Sequence, residues 1–194
     1  MMNNKRSLSI LSTTTAIIIE IVALCLALSQ CLSWEMESIA ESVLHSSRLL
    51  LAVAVFALLA VNAQEKRLSI IFTLMLISIL TEQCIRFYPD ANATNFIMYS
   101  ITGVGIIAHI SGFVMLALTS YMSRSVKIAS WIIALLPLAG SSVETIGQSI
   151  FVAESIWNGY SFIKMILKYG SEIWFFIALA SWLKETESAN TQIL

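Results

Sequence analysis

Residues 96–122 read FIMYSITGVGIIAHISGFVMLALTSYM, an apolar stretch in which no Asp, Glu, Lys or Arg appears. About 20 mostly apolar residues are enough for a helix to cross the hydrocarbon core of a bilayer. A helix on the surface of a soluble protein would carry a polar face toward water, and this stretch offers no charged residue for one. It therefore predicts a membrane-spanning helix.

Similar stretches occur on both sides of it. The chain of 194 residues is 58% hydrophobic and 12% charged, whereas a soluble domain has about 45–50% apolar and about 25% charged residues. The second stretch is the shortest and reaches the length of a span only by using residues 39–47. The fold class predicted is all-α: a polytopic integral membrane protein, a bundle of about six transmembrane helices, in one domain over residues 1–184 with a polar cytoplasmic tail over 185–194. The six predicted spans are residues 8–28, 49–63, 68–88, 96–122, 126–151 and 160–183.

Basic residues predict the orientation, because Lys and Arg concentrate in cytoplasmic loops. With the N-terminus inside, the inner segments hold seven of the eleven basic residues: Lys5, Arg6, Lys66, Arg67, Arg124, Lys127 and Lys184. This favours N-in, C-in and an even number of spans in a plasma membrane, or in the inner membrane if the source is a bacterium.

The first stretch has an alternative interpretation as a cleaved signal peptide. It begins with Lys5 and Arg6, as a signal peptide does, but it is longer than an h-region of about 7–15 residues and contains Glu20. A retained helix is the favoured prediction.

Polar and charged residues within the predicted spans are the candidate functional residues, because a charge at a span centre costs about 2.5–3.5 kcal/mol on insertion scales. At 1.5 Å per residue they fall in the outer half or at the centre of the bilayer. This predicts a polar cavity open to the outside, with Glu20, His109 and Glu172 at its floor. The candidates for ligand or ion binding are Glu20, Glu82, Arg86, His109, Glu144, Gln148, Lys164, Lys168 and Glu172.

Spacing along the helices suggests how these groups pair. Glu82 with Arg86, and Lys168 with Glu172, are i,i+4 pairs on one helix face. Each candidate also has a structural interpretation: an intrahelical ion pair, a lysine that reaches the membrane rim, a hydrogen-bonded packing histidine at His109, or a polar contact between helices. Gly105 and its neighbours Gly103 and Gly112 predict close helix contact.

The function classes are narrowed mostly by what the sequence lacks. No run of Lys and Arg exceeds two residues, so we predict no nucleic-acid binding. We find no catalytic motif, no metal-ligand spacing and no cofactor motif. The leading hypothesis is a transporter, channel-like or ligand-binding membrane protein that takes a small anionic or protonatable ligand in its cavity. The alternative is an accessory or structural membrane protein (a subunit, immunity factor or assembly factor) whose charges pair within the bundle or with another membrane protein.

Overall fold

A computed structural model of the chain describes residues 3–32, 38–63, 65–87, 95–149 and 154–191. These residues form six α-helices, and each coincides with one of the predicted apolar stretches, so the all-helical prediction is confirmed. Residues 185–191 of the segment predicted as a polar tail continue the last helix. The helices are α1 (Asn3–Leu32), α2 (Ser38–Asn62), α3 (Lys66–Phe87), α4 (Asn95–Ala117), α5 (Arg124–Ser149) and α6 (Glu154–Thr191).

The six helices are arranged as a closed ring. Each helix packs against its neighbours in the chain, and α6 returns to pack against α1 in the most extensive contact of all. Short connections favour such neighbours because little chain is available to reach elsewhere. At the closing contact, Ser9 of α1 donates a buried hydrogen bond to the carbonyl oxygen of Ala180 in α6, at 3.0 Å. The ring lets residues from helices distant in sequence meet in its interior.

Glycines set the close approach of α3 and α4. A Cβ added at Gly105 would collide with the side chain of Thr81, and one added at Gly112 would lie 3.1 Å from Cγ of Met75. Because Gly105 lies opposite Thr81 and Gly112 opposite Met75, the two helices run antiparallel. The predicted close contact is confirmed at these two glycines, whereas a Cβ at Gly103 would meet nothing within 4 Å.

Large apolar side chains fill the ring interior, and Phe56, Phe72, Phe175, Leu116 and Leu179 are almost wholly buried. They contact one another across the ring rather than along single helices, so the core belongs to the bundle as a whole. In a bilayer such packing stabilises helices mainly through van der Waals contact.

Among the described residues, three helices are long and apolar enough to cross a membrane, over Lys5–Ser29, Ser42–Asn62 and Tyr99–Ala117. Their outward faces carry exposed Ile, Leu and Val side chains, including Leu50 and Ile107. Exposed apolar surface on this scale marks contact with lipid or with another protein. The sequence prediction of three further spans stays a prediction.

Candidate functional site

Arg48 of α2 is the centre of a charged cluster inside the ring. Its side chain is only 3% exposed, and its two terminal nitrogens contact carboxylates from two other helices. Nη1 donates to Oε2 of Glu172 in α6 at 2.7 Å, and Nη2 donates to Oε1 of Glu82 in α3 at 3.1 Å. Such charge-assisted hydrogen bonds are stronger than neutral ones. One arginine thus ties together α2, α3 and α6.

Lys168 and Tyr169 complete the cluster from α6. The ammonium of Lys168 lies 3.8 Å from the same Glu82 oxygen that accepts from Arg48. The ring of Tyr169 lies 5.5 Å from the Arg48 guanidinium carbon and 5.9 Å from the Lys168 nitrogen, within cation–π range. Among the described residues, the two cations and two carboxylates of the cluster balance in formal charge.

A partly open cavity of about 60 Å³ lies beside this cluster. Because one water needs roughly 10–15 Å³ of such volume, there is room for about four waters or a ligand of a few heavy atoms. Arg48, Glu82 and Glu172 form the charged part of the wall, Ser78 and His109 add neutral polar groups, and the rest is apolar or aromatic. The apolar wall consists of Ile19, Leu49, Ala52, Phe56, Ile79, Phe113, Ile133, Phe175 and Phe176.

His109 hydrogen-bonds to a backbone carbonyl of α5 that Pro137 leaves without its helical donor. Proline has no backbone N–H, so the carbonyl four residues earlier, that of Ile133, loses its usual helical donor. Nε2 of His109 lies 3.1 Å from this carbonyl oxygen, and Nδ1 lies 3.2 Å from Oγ of Ser78. A carbonyl can only accept, so Nε2 carries the hydrogen. The missing N–H of Pro137 therefore explains why His109 is hydrogen-bonded between the helices, as its structural interpretation expects.

Aromatic rings close the cavity on the side away from Arg48. The ring of Phe56 lies 6.4 Å from that of Phe72, 6.2 Å from Phe175 and 5.8 Å from Phe176. Phe113 contacts Phe175 edge-on at 5.3 Å. The Phe56–Phe72 pair is stacked and the others are tilted or edge-on, arrangements that are favourable for aromatic pairs. The cavity therefore ends on an aromatic plug, formed by these five phenylalanines.

A second set of polar contacts lies at the opposite end of the ring, where α2 meets α3 and α4 meets α5. The hydroxyl of Tyr121 donates to Glu65 at 2.8 Å, and the indole N–H of Trp182 donates to the Tyr121 carbonyl oxygen at 3.3 Å. Partial desolvation and the neighbouring Glu65 carboxylate raise the pKa of Tyr121 to about 12. These contacts join the α2–α3 and α4–α5 connections to each other and to α6, at the end distant from the cavity.

The structure brings together four of the predicted site residues: Glu82, His109, Lys168 and Glu172. Glu82 and Glu172 both contact Arg48 of α2, an interhelical partner that the i,i+4 spacing does not predict. The predicted pairing of Glu82 with Arg86 stays a prediction. Lys164 is half-buried one turn before Lys168 on α6. The side chains of Arg86, Glu144 and Gln148 lie outside the described residues.

The predicted position of Glu20 at the cavity floor is wrong. Glu20 is exposed on the outer surface of α1, while Ile19 and Val22 of the same helix point inward and are buried. Depth along a helix axis can be counted from the sequence, but the direction of the side chain depends on which face meets the other helices. Residue 20 follows the inward Ile19 by about 100° of helix rotation.

Sequence reasoning misses Arg48 as a site residue, although it is the centre of the cluster. A signal was present: Arg48 is one of four basic residues outside the predicted inner segments, and it borders the apolar stretch of α2. A cation that breaks the positive-inside pattern at the edge of a span needs a partner in the bundle. Ser78 and Tyr169 carry no comparable signal, because either residue is ordinary in a membrane helix.

Among the described residues, no group of three or more His, Cys, Asp or Glu is placed to hold a metal ion. Comparison of the chain with known protein families, with characterised proteins and with solved structures finds no match. The geometry of the cluster and its cavity is therefore the basis of the functional argument.

Proposed function

We propose that the chain is a multi-pass membrane protein of six spans, with both termini inside, that binds a small ionic ligand in an outward-facing cavity around Arg48. The observation that carries the proposal is that Arg48 lines the cavity while its side chain is 3% exposed. Its Nε–H is buried and has no acceptor among the described residues. An unmet buried donor is costly, and a ligand or water in the cavity would supply its acceptor.

The direction of the cavity follows from the helix ends. Glu82 lies near the end of α3, and Arg48 lies in the first half of α2. Both helix ends lie on the side whose connections are poor in Lys and Arg, which the positive-inside rule assigns to the outside. The aromatic plug separates this side from the inner end, which favours ligand binding over an open channel in this conformation.

Glu82 is the group that an anionic ligand would displace. Its Oε1 is shared by Arg48 at 3.1 Å and Lys168 at 3.8 Å, so this oxygen occupies the position between two cations. The Glu82 side chain is 40% exposed, whereas that of Glu172 is 23% exposed. A carboxylate or phosphate group could take the place of the more exposed one while Glu172 continues to hold Arg48.

One observation favours a second function, that of an accessory or structural membrane protein. The two cations and two carboxylates of the cluster compensate each other within the bundle, which a purely structural network would also do. Buried ion pairs can set which helices pack together rather than add stability. The two functions differ in whether water and small solutes reach the cluster from outside.

Labelling of single cysteines tests this difference. In a chain whose Cys25, Cys31 and Cys84 are replaced by alanine, Ser78→Cys places a thiol in the cavity wall. The matched control Ser130→Cys places one in a fully buried position on α5, near the inner end. A membrane-impermeant thiol reagent added outside should label Ser78→Cys at least about tenfold faster, because only that thiol faces an aqueous cavity.

Acetate serves as a probe for the anion position. We expect it to slow the labelling of Ser78→Cys, and to do so at lower concentration when Glu82→Gln leaves the position between the cations without a charge. Protection of Ser78→Cys equal to that of Ser130→Cys, in folded protein, would overturn the ligand-binding proposal and leave the accessory function. Fast labelling that acetate never slows would overturn the anionic ligand.

A further inference from the structure

The outward face of α1 carries a stripe with seven-residue spacing. Ile10, Ile17 and Leu24 are exposed by 58, 51 and 59%. The exposed Ile21 and Leu28 lie four residues after Ile17 and Leu24 and continue the stripe. A heptad repeat of this kind is the pattern of a seam between two helices, since 3.5 residues per turn keep one side toward a partner. A face in contact with lipid has nearly the same spacing, since two helical turns span about seven residues, so the stripe by itself shows one continuous apolar face.

Glu20 lies within this stripe, three residues after Ile17, and its side chain is exposed. It is 15 residues past the start and nine before the end of the apolar segment Lys5–Ser29. The other polar side chains of the stripe, Thr13 and Thr14, donate hydrogen bonds to carbonyls of their own helix at 2.9 and 3.0 Å. No cation is recorded within ion-pair distance of Glu20 among the described residues.

We propose that the Ile10–Ile17–Leu24 face of α1 docks a transmembrane helix of a second membrane protein, which carries a Lys or Arg near its middle to pair with Glu20. An unpaired carboxylate at mid-span is expensive in lipid. A cation at the same depth supplies the complementary charge, and the heptad stripe supplies the packing surface. This inference rests on the membrane location proposed above but is independent of the cavity.

A second copy of this chain fits the face less well. In a parallel two-fold pair of helices each residue of the seam meets its own copy, so Glu20 would face Glu20. The deeper cations of the described chain, Arg48 and Lys168, are already engaged with Glu82 and Glu172. The copy therefore offers a like charge where an opposite charge is needed.

Synthetic helices test the proposal directly. The chain is reconstituted in phosphatidylcholine vesicles with a donor dye on the exposed Cys84, after replacement of Cys25 and Cys31. It is titrated with acceptor-labelled leucine–alanine peptides of span length that carry Lys, or Leu, at the centre. Energy transfer should show the Lys peptide binding about tenfold tighter, the factor that one polar pairing gives model transmembrane helices.

Variants of the chain identify the group responsible. Glu20→Leu should abolish the preference for the Lys peptide, Glu20→Asp should retain it, and the matched control Glu185→Gln, at an exposed carboxylate near the inner end, should leave it unchanged. Replacement of Glu20 by leucine makes an exposed position more apolar and should not disturb folding in a bilayer.

Three outcomes would overturn the inference. The first is equal binding of the Lys and Leu peptides. The second is a preference that survives Glu20→Leu. The third is energy transfer between copies of the chain, without any peptide, that Glu20→Leu abolishes, since the occupant would then be a second copy. Loss of the peptide preference leaves the labelling of Ser78→Cys untouched, so failure here is distinguishable from failure of the cavity proposal.

Discussion

The pairing of His109 with the carbonyl of Ile133 can be tested by a double-mutant cycle with Pro137. His109→Leu removes the donor at 3.1 Å and leaves the carbonyl without its helical partner, because Pro137 has no N–H. A buried acceptor left without a donor costs about 1–3 kcal/mol of unfolding free energy. Pro137→Ala restores an N–H at this point of α5, so the same His109→Leu change should cost less in that background.

We expect a coupling free energy of about 1–2 kcal/mol between the two substitutions, since contacting residues that share one interaction couple by roughly 0.5–3 kcal/mol. The remaining cost of His109→Leu in the Pro137→Ala background reflects the lost contact with Ser78 at 3.2 Å and with the Phe113 ring at 4.9 Å. Pro137→Ala alone can raise or lower the unfolding free energy, and the coupling measured by the cycle does not depend on that sign.

The assay is equilibrium unfolding of the purified chain in mixed micelles, in which a mild detergent is titrated with dodecyl sulfate and followed by far-ultraviolet circular dichroism. A control cycle pairs His109→Leu with Gly103→Ala, whose added Cβ meets nothing within 4 Å. That cycle should be additive to within about 0.3–0.5 kcal/mol. Equal additivity in the His109–Pro137 cycle would refute the argument that His109 replaces the missing proline donor.

Two further predictions use the same unfolding assay. Arg48→Met should lower the unfolding free energy by about 3 kcal/mol, because it leaves Glu172 without the 2.7 Å ion pair. Adding Glu172→Gln should recover part of the loss. An Arg48→Met variant as stable as the native chain would contradict the central role of this arginine. Gly105→Ala should lower the unfolding free energy by about 1–3 kcal/mol, because its Cβ would collide with a threonine of α3. Gly103→Ala should leave it unchanged or raise it by up to about 1 kcal/mol. Equal effects of the two alanines would show that α3 and α4 can separate without cost.

The helices themselves follow from local pattern. An apolar stretch such as residues 49–63 forms a helix wherever the backbone must satisfy its own hydrogen bonds in an apolar surrounding, and this requirement acts within one segment. The extension of α2 to Ser38 agrees with the prediction that residues 39–47 contribute to the second span. Gly105 and Gly112 are likewise interpretable from sequence, because small residues let membrane helices approach closely, although the same argument fails at Gly103.

The charged cluster shows where local reasoning ends. The i,i+4 rule offers Glu82 only a partner on its own helix, whereas the structure also places Arg48 and Lys168 of two other helices against it. These partners are 34 and 86 positions away, and the contact with Lys168 depends on the return of α6 to close the ring. Similarly, the carbonyl that His109 meets is defined by Pro137 on a neighbouring helix, and no spacing within α4 reveals it.

The order of residues along the chain is enough to predict that it is all-helical, that several helices are apolar over the length of a span, and that a few charges lie among them. Those properties depend on composition and on periodicity along one segment, which any reader of the chain can count. The packed bundle was needed to show that Arg48 is the centre of the cluster, that Glu20 faces outward, and that phenylalanines close the cavity. Each of these depends on which face of a helix meets which neighbour, and that choice is made by the packing of six helices at once.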